Sequence, residues 1–361
     1  MSKGFVTTAL TQLEQLPVQG SVFDLSLART ICELGAGRYP NSPLVRLMYD
    51  LRALGLSSEL TNYCHRLVKL MLFRRGTAAG QLPFQHLYKQ FEIPKKSGQS
   101  RRISAPLGNL RNIQQIIKSP LEIGLEKIYA MWDLECVHGF RPKHSNVTAA
   151  LPHHGQKLVL RLDITNFFDS TKVGTVKRVL NMLLNQVGLE NRGSLTSTFL
   201  AYLLTCDACL PTGSPTSPII SNGALLHLDG KLAFYASQWG VVYTRYADDL
   251  TFSGSYNVQR MVGLAISELR KLGYEVNHEK TNLMRRGRAQ VVFGLVVNDG
   301  LSVGRDYRRK LRAARHYFEE GRQPHLNGTE IDAKKLEGHL GYLKHVKSLD
   351  PGIRNSSLHR D

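Results

Sequence analysis

Three acidic residues occur in two segments whose pattern could hold divalent metal ions. Asp163 ends the β-rich run Leu-Val-Leu-Arg-Leu-Asp, which is too short for a helix. Asp248 and Asp249 are adjacent, between two β-rich arms that predict a hairpin over residues 241–254. Strand ends and tight turns position carboxylates more accurately than mobile loops do. The pattern therefore predicts a carboxylate site built on a sheet.

The chemistry that such a set of acids can perform is nucleotidyl transfer. Two metal ions ~3.5–4 Å apart would contact the attacking hydroxyl and the leaving pyrophosphate. Mg²⁺ is held by a few carboxylates together with water and phosphate oxygens. A Gly/Pro loop over Leu210–Pro218, expected to lead into a helix near Ser217, lies between the two acidic segments. An Asp pair at a turn is by itself more often simple turn chemistry, but the ordered combination favours catalysis.

The charge of the chain favours a polyanionic partner. Among 361 residues, 47 Lys and Arg oppose 29 Asp and Glu, which gives a formal net charge of +18. Such an excess suits a phosphate backbone, because Lys and Arg displace condensed counterions. Residues 61–120 carry eleven basic residues and one acid, Glu92, and a second basic run spans 305–315. A basic soluble protein with solvated helix faces remains the alternative at this point.

Other classes of protein are disfavoured by composition. Five scattered cysteines do not make a disulfide framework, and Cys206-Asp-Ala-Cys209 lacks the second ligand pair of a zinc site. No stretch approaches the ~18 apolar residues of a membrane span. The first twenty residues lack the apolar core of a signal peptide. We therefore expect a cytoplasmic protein with reduced thiols and no membrane contact.

Hydrophobic periodicity predicts the elements that carry these segments. We expect helices over residues 1–80, 110–130, 173–184 and 257–272, and strands on both sides of Gly98 within 94–106, at 158–163 and at 291–297. A break falls at 80–83, and the chain after residue 300 is mostly helical. The alternation between about 90 and 300 predicts an α+β fold, with a central sheet and helical caps.

Taken together, the segments resemble those of reverse transcriptases, in the same order, over roughly residues 85–345. The box Tyr246-Ala-Asp-Asp resembles the catalytic box of that family. The other segments that carry the resemblance are Arg102–Pro106 with Ile113–Ile116, His138–Arg141 with Ser145, Asp163–Phe168, Pro211–Pro218 with Asn222, the residues Gly273, Asn277, Lys280 and Thr281, and Phe293–Asn298.

The resemblance implies a right-hand polymerase with fingers, palm and thumb and an antiparallel palm sheet. The implied domains are a helical N-terminal region (1–80), fingers with part of the palm (81–160), palm with finger insertions (161–300) and thumb (301–361). The implied activity is RNA-directed DNA polymerase, using dNTPs and two Mg²⁺ ions for which Mn²⁺ can substitute. An RNA-binding scaffold with an inactive polymerase fold is the alternative, which the intact acid triad disfavours.

The matched positions imply the catalytic and metal-binding residues. Asp163, Asp248 and Asp249 would be the catalytic acids and metal ligands, joined by the carbonyl of Ile164.

The matched positions also imply the contacts to substrates. Phe168 would exclude a ribose 2′-hydroxyl, with a core aromatic as the alternative interpretation. Arg102 and Lys280 would bind the nucleotide phosphates, with an ordinary surface lysine as the alternative interpretation of Lys280. Gly213 would let the backbone approach the nucleotide. In the thumb, the residues expected to contact the duplex backbone are Arg305, Arg308, Arg309 and Arg312.

Among reverse transcriptases, the bacterial retron branch is most similar in Leu210–Pro218 and Asp248–Ser253. Two positions differ from that branch: Ala149 begins Ala-Ala-Leu-Pro-His where retron enzymes have Asn, and Phe293 replaces Thr in Val-Thr-Gly.

Membership of that branch would imply several partners. These are a dedicated structured non-coding RNA as template and primer, an RNA–DNA hybrid product branched at a 2′-hydroxyl, and an effector protein in antiphage defence. The alternative within the family is an abortive-infection type of enzyme that makes DNA without a template.

Overall fold

The computed structural model describes residues 43–73, 84–94, 98, 100–189 and 194–350. The expected N-terminal helical region is confirmed where it falls within them, as α1 (Pro43–Ala53) and α2 (Ser58–Phe73). The rest of that expectation, over 1–42 and 74–80, and the break at 80–83 lie outside the described residues.

A four-stranded antiparallel sheet forms the centre of the molecule. Its strands are β3 (Leu158–Asp163), β4 (Val242–Tyr246), β5 (Asp249–Gly254) and β6 (Asn282–Arg285), in the order β4-β5-β3-β6. The strand at 158–163 and the hairpin at 241–254 are thus confirmed, whereas β6 was not predicted. Because a slip of one residue would turn every side chain to the other face, the buried face fixes the register.

Helices enclose the sheet and extend the core. The prediction of an α+β fold is confirmed. The helices between the first hairpin and the sheet's last strand are α3 (Gly108–Trp132), α4 (Asn146–Ala150), α5 (Phe167–Ser170), α6 (Val173–Gln186), α7 (Ser194–Leu203), α8 (Ser217–Ala224), α9 (Leu226–Gln238) and α10 (Val258–Lys271). One apolar cluster joins α1, α2, α3, α6 and α7, and another lies between the sheet and the helices α9 and α10.

A long hairpin precedes α3 and stands beside the loop before α8. Its strands β1 (Tyr88–Pro94) and β2 (Ser100–Pro106) pair antiparallel along their whole length. Ser104 donates a backbone hydrogen bond of 2.8 Å to the Thr212 carbonyl, which fixes the hairpin to the Gly/Pro loop. The expected strands around Gly98 are confirmed, with β1 beginning six residues earlier than the segment 94–106.

The single strand expected at 291–297 is wrong. The segment forms two short strands, β7 (Val291–Val292) and β8 (Leu295–Val296), in a small sheet with β9 (Ser302–Val303). Phe293 and Gly294 have φ angles of +48° and +86°. Two successive residues in the left-handed region reverse the chain, so the apolar run folds back on itself.

The last described segment contains two helices and a short hairpin. These are α11 (Arg305–Glu319), the hairpin β10 (His325–Leu326) and β11 (Thr329–Glu330), and α12 (Ala333–Ser348). The mostly helical end of the chain is confirmed. Among all the described helices, none is both long and apolar enough to cross a membrane.

Candidate active site

Asp163, Asp248 and Asp249 meet at one edge of the central sheet. Asp163 ends β3 and stands opposite Asp249, which begins β5. Asp248 lies in the two-residue turn between β4 and β5, and its carbonyl oxygen accepts a 3.1 Å hydrogen bond from the Ile164 amide. Asp163 lies 85 positions before Asp248 in the chain. The sheet register and a tight turn therefore bring it together with Asp248 and Asp249.

A buried arginine holds the tip of this hairpin. Ala247, beside Asp248, has a φ of +57°, a conformation that costs a non-glycine residue about 1–2 kcal/mol. Arg245 Nη1 donates to the Ala247 carbonyl at 2.9 Å, and Arg245 Nε and Nη2 bind Asp229 at 2.8 and 2.6 Å. Both charged side chains are fully buried. This ion pair keeps Ala247 in the conformation that presents Asp248.

The acids carry an excess of negative charge. Burial raises the pKa of Asp248 above its ordinary value, and the charges of Asp249 and Asp163 raise it further. Burial also raises the pKa of Asp249, against the nearby Arg161 guanidinium, which lowers it. Mutual repulsion of this kind is relieved when cations bind between the carboxylates.

Two basic residues already contact two of the acids. Lys280 Nζ lies 3.0 and 2.9 Å from Oδ1 and Oδ2 of Asp163. Arg161 Nη2 lies 3.0 Å from Oδ1 of Asp249. Within the described residues, no side-chain cation lies within ion-pair distance of Asp248. Lys280 is 62% exposed, so its ion pair is screened by water and can exchange.

The acids border a cleft of about 1300 Å³, which is large enough for a nucleotide with part of a nucleic acid. Asp163 and Asp248 line this cleft, whereas Asp249 is not part of its wall and is paired with Arg161. The expected nucleotide-binding residues all line the same cleft: Arg102, Phe168, Gly213 and Lys280. The structure therefore gathers these four residues around two of the three acids.

The two adjacent phenylalanines have different environments. Phe167 is buried and packs edge-on against Tyr274, with ring centroids 5.4 Å apart. Phe168 is only partly buried, and both phenylalanines contribute to the cleft wall. The preceding Asn166 has a φ of +45°, which asparagine tolerates better than most residues. Phe167 thus takes the core position, and Phe168 is the more exposed of the two at the cleft.

Arg102 already has an anionic partner. It forms a 3.0 Å ion pair with Asp207, which also accepts a 2.9 Å hydrogen bond from Gln90 Nε2. Asp207 lies in the two-residue turn between Cys206 and Cys209, and those two residues exchange backbone hydrogen bonds of 3.0 and 3.1 Å. Both thiols are free. The Cys-x-x-Cys spacing therefore reflects a turn that places Asp207 beside the cleft.

The loop around Gly213 is fixed by a buried hydrogen-bond chain. Gly213 has a φ of +117°, and an added Cβ would lie 3.0 Å from Ile103. The backbone at Gly213 therefore lies close against Ile103 of the β1–β2 hairpin. Next to it, Ser214 donates to Gln114 Oε1 at 2.8 Å, and Gln114 Nε2 donates to the Tyr88 hydroxyl at 2.8 Å. Gln114 is completely buried, so the loop, α3 and β1 are held as one unit.

The expected thumb arginines lie on α11, away from the cleft wall. All four, Arg305, Arg308, Arg309 and Arg312, are exposed. Arg309 is paired with Asp306 at 2.9 Å. The other three recur at three- and four-residue spacing and share one helix face.

His153 has a structural role that its sequence does not reveal. Its ring is fully buried behind the hairpin, with Nδ1 2.6 Å from Ser253 Oγ on β5 and Nε2 2.7 Å from Thr244 Oγ1 on β4. Burial lowers the pKa of His153 to about 3, so the ring is neutral near pH 7. The histidine thus connects the two strands that carry Asp248 and Asp249.

Several residues of the site were not found from the sequence. Arg161, two positions before Asp163, was readable as a charged residue on a strand otherwise made of apolar residues. Arg245 offered the same signal within β4. Asp229 and Gln114 offered none, because their partners are far away in the chain and periodicity contains no information about them.

The fold places three carboxylates at one edge of an antiparallel sheet, beside a large cleft. Comparison with known proteins identifies the family of the chain. Residues 93–312 match the family model described as reverse transcriptase (RNA-dependent DNA polymerase). The chain belongs to this family.

Its curated relatives include retron enzymes. The chain is 35% identical over 289 residues to the retron Mx65 reverse transcriptase of Myxococcus xanthus, covering 73% of this chain and 62% of that protein. It is 33% identical over 285 residues to the retron Mx162 reverse transcriptase of the same organism, covering 71% and 57%. Apo telomerase from Candida tropicalis, truncated from its C-terminal domain, aligns at 14% identity with a TM-score of 0.47, covering 68% and 60%. The chain thus spans about three fifths of the length of these curated relatives.

Proposed function

We propose that this chain is an RNA-directed DNA polymerase whose reaction is centred on Asp163 and Asp248. The observation that carries the proposal is the convergence of these two carboxylates on the wall of one large cleft. Membership of the reverse transcriptase family and similarity to retron enzymes support the same activity. Asp249 completes the acid set from outside the cleft wall, where it pairs with Arg161.

The residues fit a pair of divalent cations. Among the described residues, no group of three or more Asp, Glu, His or Cys side chains forms a closed metal site. Mg²⁺ in nucleotide-processing sites needs no such cage, because it is held by one or two carboxylates, water and substrate phosphates. Asp163, Asp248 and the Ile164 carbonyl supply oxygen ligands of that kind. Burial raises the pKa of Asp248, the charges of Asp249 and Asp163 raise it further, and a cation bound between the carboxylates would relieve that repulsion. Bound Mg²⁺, or Mn²⁺, would stabilise the negative charge on the attacking and leaving oxygens.

The remaining cleft residues bind and select the dNTP. Arg102 and Lys280 are exposed cations on the cleft wall, and each now pairs with a carboxylate that a triphosphate can replace. Phe168 occupies the space beside the sugar and excludes a 2′-hydroxyl. The hydrogen bonds of Gln114 keep the Gly213 loop rigid, which preserves the shape of the binding site.

The family's division into fingers, palm and thumb can be applied to the described elements. We place the fingers, with part of the palm, in 81–160, the palm with finger insertions in 161–300, and the thumb in 301–361, with an N-terminal region over 1–80 preceding them. The stripe of Arg305, Arg308 and Arg312 on α11, with Arg309 beside it, would contact the phosphates of an RNA–DNA hybrid.

The substrate that we propose is a dedicated structured non-coding RNA, copied into single-stranded DNA. The support is the family name of the relatives, retron reverse transcriptase, at 35% and 33% identity. The same resemblance supports an effector protein as partner, a role in antiphage defence and a cytoplasmic location.

A template-copying assay tests the activity. The purified chain, given a primed RNA homopolymer, Mg²⁺ and one dNTP at a time, should incorporate only the complementary dNTP. DNA synthesis of equal efficiency with every dNTP, or without a template, would contradict an RNA-directed mechanism and indicate the abortive-infection type of enzyme.

A second experiment tests the substrate. The chain should be purified from cells that express it with its flanking locus, and its bound nucleic acid sequenced. The proposal predicts one defined RNA joined to a DNA that is complementary to part of that RNA. DNA that matches no co-purifying RNA would contradict the retron assignment. The polymerase activity itself is tested separately, by the template-copying assay.

A further inference from the structure

Phe140 has an unusual backbone and an unusual exposure for a phenylalanine. Its φ angle is +58°, in the left-handed region that bulky side chains rarely adopt. Its side chain is 46% exposed and lines the cleft beside the acids. It belongs to none of the four apolar clusters formed by the described residues. Neither the fold's packing nor its backbone geometry accounts for an aromatic ring at this position.

The segment that holds Phe140 is rigid and lies against the hairpin that carries Asp248. A Cβ on Gly139 would lie 2.2 Å from the Ala247 nitrogen, so only glycine fits there. The Gly139 carbonyl accepts a 2.8 Å hydrogen bond from Asn222 Nδ2. Gly139 thus fixes the N-terminal side of Phe140 against the tip of the β4–β5 hairpin.

Arg141 fixes the other side. Its buried guanidinium binds both carboxylate oxygens of Glu126 at 3.1 and 3.0 Å and donates to the Leu134 carbonyl at 3.0 Å. The guanidinium also lies over the Tyr129 ring at 4.4 Å. A sparsely populated conformation persists only where surrounding contacts determine it in this way, and such residues concentrate at functional sites.

Phe293 provides an internal comparison. It is also a phenylalanine in the left-handed region, with a φ of +48°. Its ring packs against Tyr246, with centroids 5.6 Å apart, and it joins an apolar cluster. Phe293 therefore has a packing partner that explains its side chain. Within the described part of the chain, the ring of Phe140 contacts no other aromatic ring and no guanidinium.

We propose that Phe140 is a stacking platform for a nucleobase at the polymerase centre. The inference rests on the proposed function and adds a base-contacting residue to it. Every nucleobase has a π-face, so an exposed aromatic ring supplies affinity without selecting sequence. A rigid platform beside Asp248 would align the end of the growing duplex or the incoming base with the acids.

Three variants test this inference. Phe140→Gly removes the ring and relieves the backbone, Phe140→Leu keeps apolar bulk without a π-face, and Phe140→Trp keeps a π-face. The glycine and leucine variants should raise either the KM for dNTP or the Kd for a primed RNA by about 5- to 150-fold, which is the value of one base–aromatic stack. The tryptophan variant should recover most of that loss relative to leucine.

Thermal unfolding separates stacking from packing. Phe140→Gly should unfold at the same temperature as the wild type or higher, because the relief of backbone strain offsets the loss of a ring that is only half-buried. Phe293→Gly is the matched control and should unfold at a lower temperature, because it loses its contact with Tyr246.

The measured quantities also show which base is contacted. If only the KM for dNTP rises, the ring contacts the incoming base. If only the Kd for the primed RNA rises, the ring contacts the template–primer. Glycine and leucine variants with wild-type KM and Kd would overturn the inference, as would a Phe140→Gly variant that only unfolds earlier. A wild-type chain that fails to extend any primer would contradict the proposed function instead, and the binding measurement would still decide the role of Phe140.

Discussion

Arg245 Nη1 donates a 2.9 Å hydrogen bond to the carbonyl oxygen of Ala247, so a fully buried cation supports the turn that presents Asp248. Asp229 neutralises that cation through two further hydrogen bonds. The shape of the candidate site thus depends on an ion pair that lies behind it and does not line the cleft.

Removing one member of this pair should destabilise the whole fold. Arg245→Met leaves Asp229 as a buried charge without its partner, a change that typically costs about 3–5 kcal/mol. Urea unfolding at neutral pH measures the loss. Arg286→Met, which breaks an exposed pair with Asp299, is the control and should cost no more than about 1 kcal/mol. Equal stability of the two variants would show that the buried pair is not needed by the fold.

Phe168 should determine which sugar is accepted. Phe168→Val opens the space beside the sugar, so ribonucleotides should be incorporated more readily relative to dNTPs. Competition between rNTP and dNTP in primer extension measures the ratio. Phe167→Leu is the matched control. Phe167 borders the same cleft, but its ring is buried against Tyr274, so the substitution should change stability more than sugar selection. Unchanged discrimination in a folded Phe168→Val variant would leave Phe168 as a packing residue.

The arginine stripe on α11 should contribute to the salt dependence of RNA binding. If about 6–10 phosphates are contacted in total, raising salt from ~50 to ~200 mM should weaken binding ~10³–10⁵-fold. Each of Arg305→Gln, Arg308→Gln and Arg312→Gln should reduce the slope of log K against log salt by about one. Arg286→Gln, outside α11 and already paired with Asp299, should leave the slope unchanged. A wild-type slope in the triple variant would make the stripe a solvated helix face.

His153 should make the fold sensitive to acid. Its folded-state pKa is about 3, below the ordinary 6.5, so between these values the unfolded chain binds more protons than the native chain. Stability contributed by neutral His153 is therefore lost as pH falls from about 6.5 toward 3. His153→Gln lacks this titration, so the difference in unfolding free energy between wild type and variant should shrink as pH falls. A constant difference would contradict a buried neutral histidine.

Local sequence pattern was enough to predict the strand and the hairpin that carry the acids. The strand ending at Asp163 and the hairpin around Asp248 follow from β-rich composition and a turn, and their order along the chain indicated one site. The pairing of Asp249 with Arg161 did not follow, because it depends on the register of β3 against β5.

The errors and omissions have similar physical causes. Residues 291–297 form an apolar run typical of one strand, but left-handed conformations at Phe293 and Gly294 turn it into two. The short strand β6 is too polar for a periodicity signal. Phe140 gave no sign of its exposure, because an aromatic residue in sequence more often indicates the core.

We expect Asp248 and Asp163 to be the residues on which DNA synthesis from an RNA template depends. Asp248→Asn and Asp163→Asn keep the side-chain shape but remove the charge, so each should lower the rate of primer extension by at least ~10²–10³-fold, the effect of losing one electrostatic stabiliser. Asp299→Asn, an exposed carboxylate paired with Arg286, is the matched control and should extend like the wild type. RNA affinity should stay within a few-fold in all three, which confirms folding. Primer extension by Asp248→Asn at the same rate as Asp299→Asn would contradict a role for Asp248 in DNA synthesis.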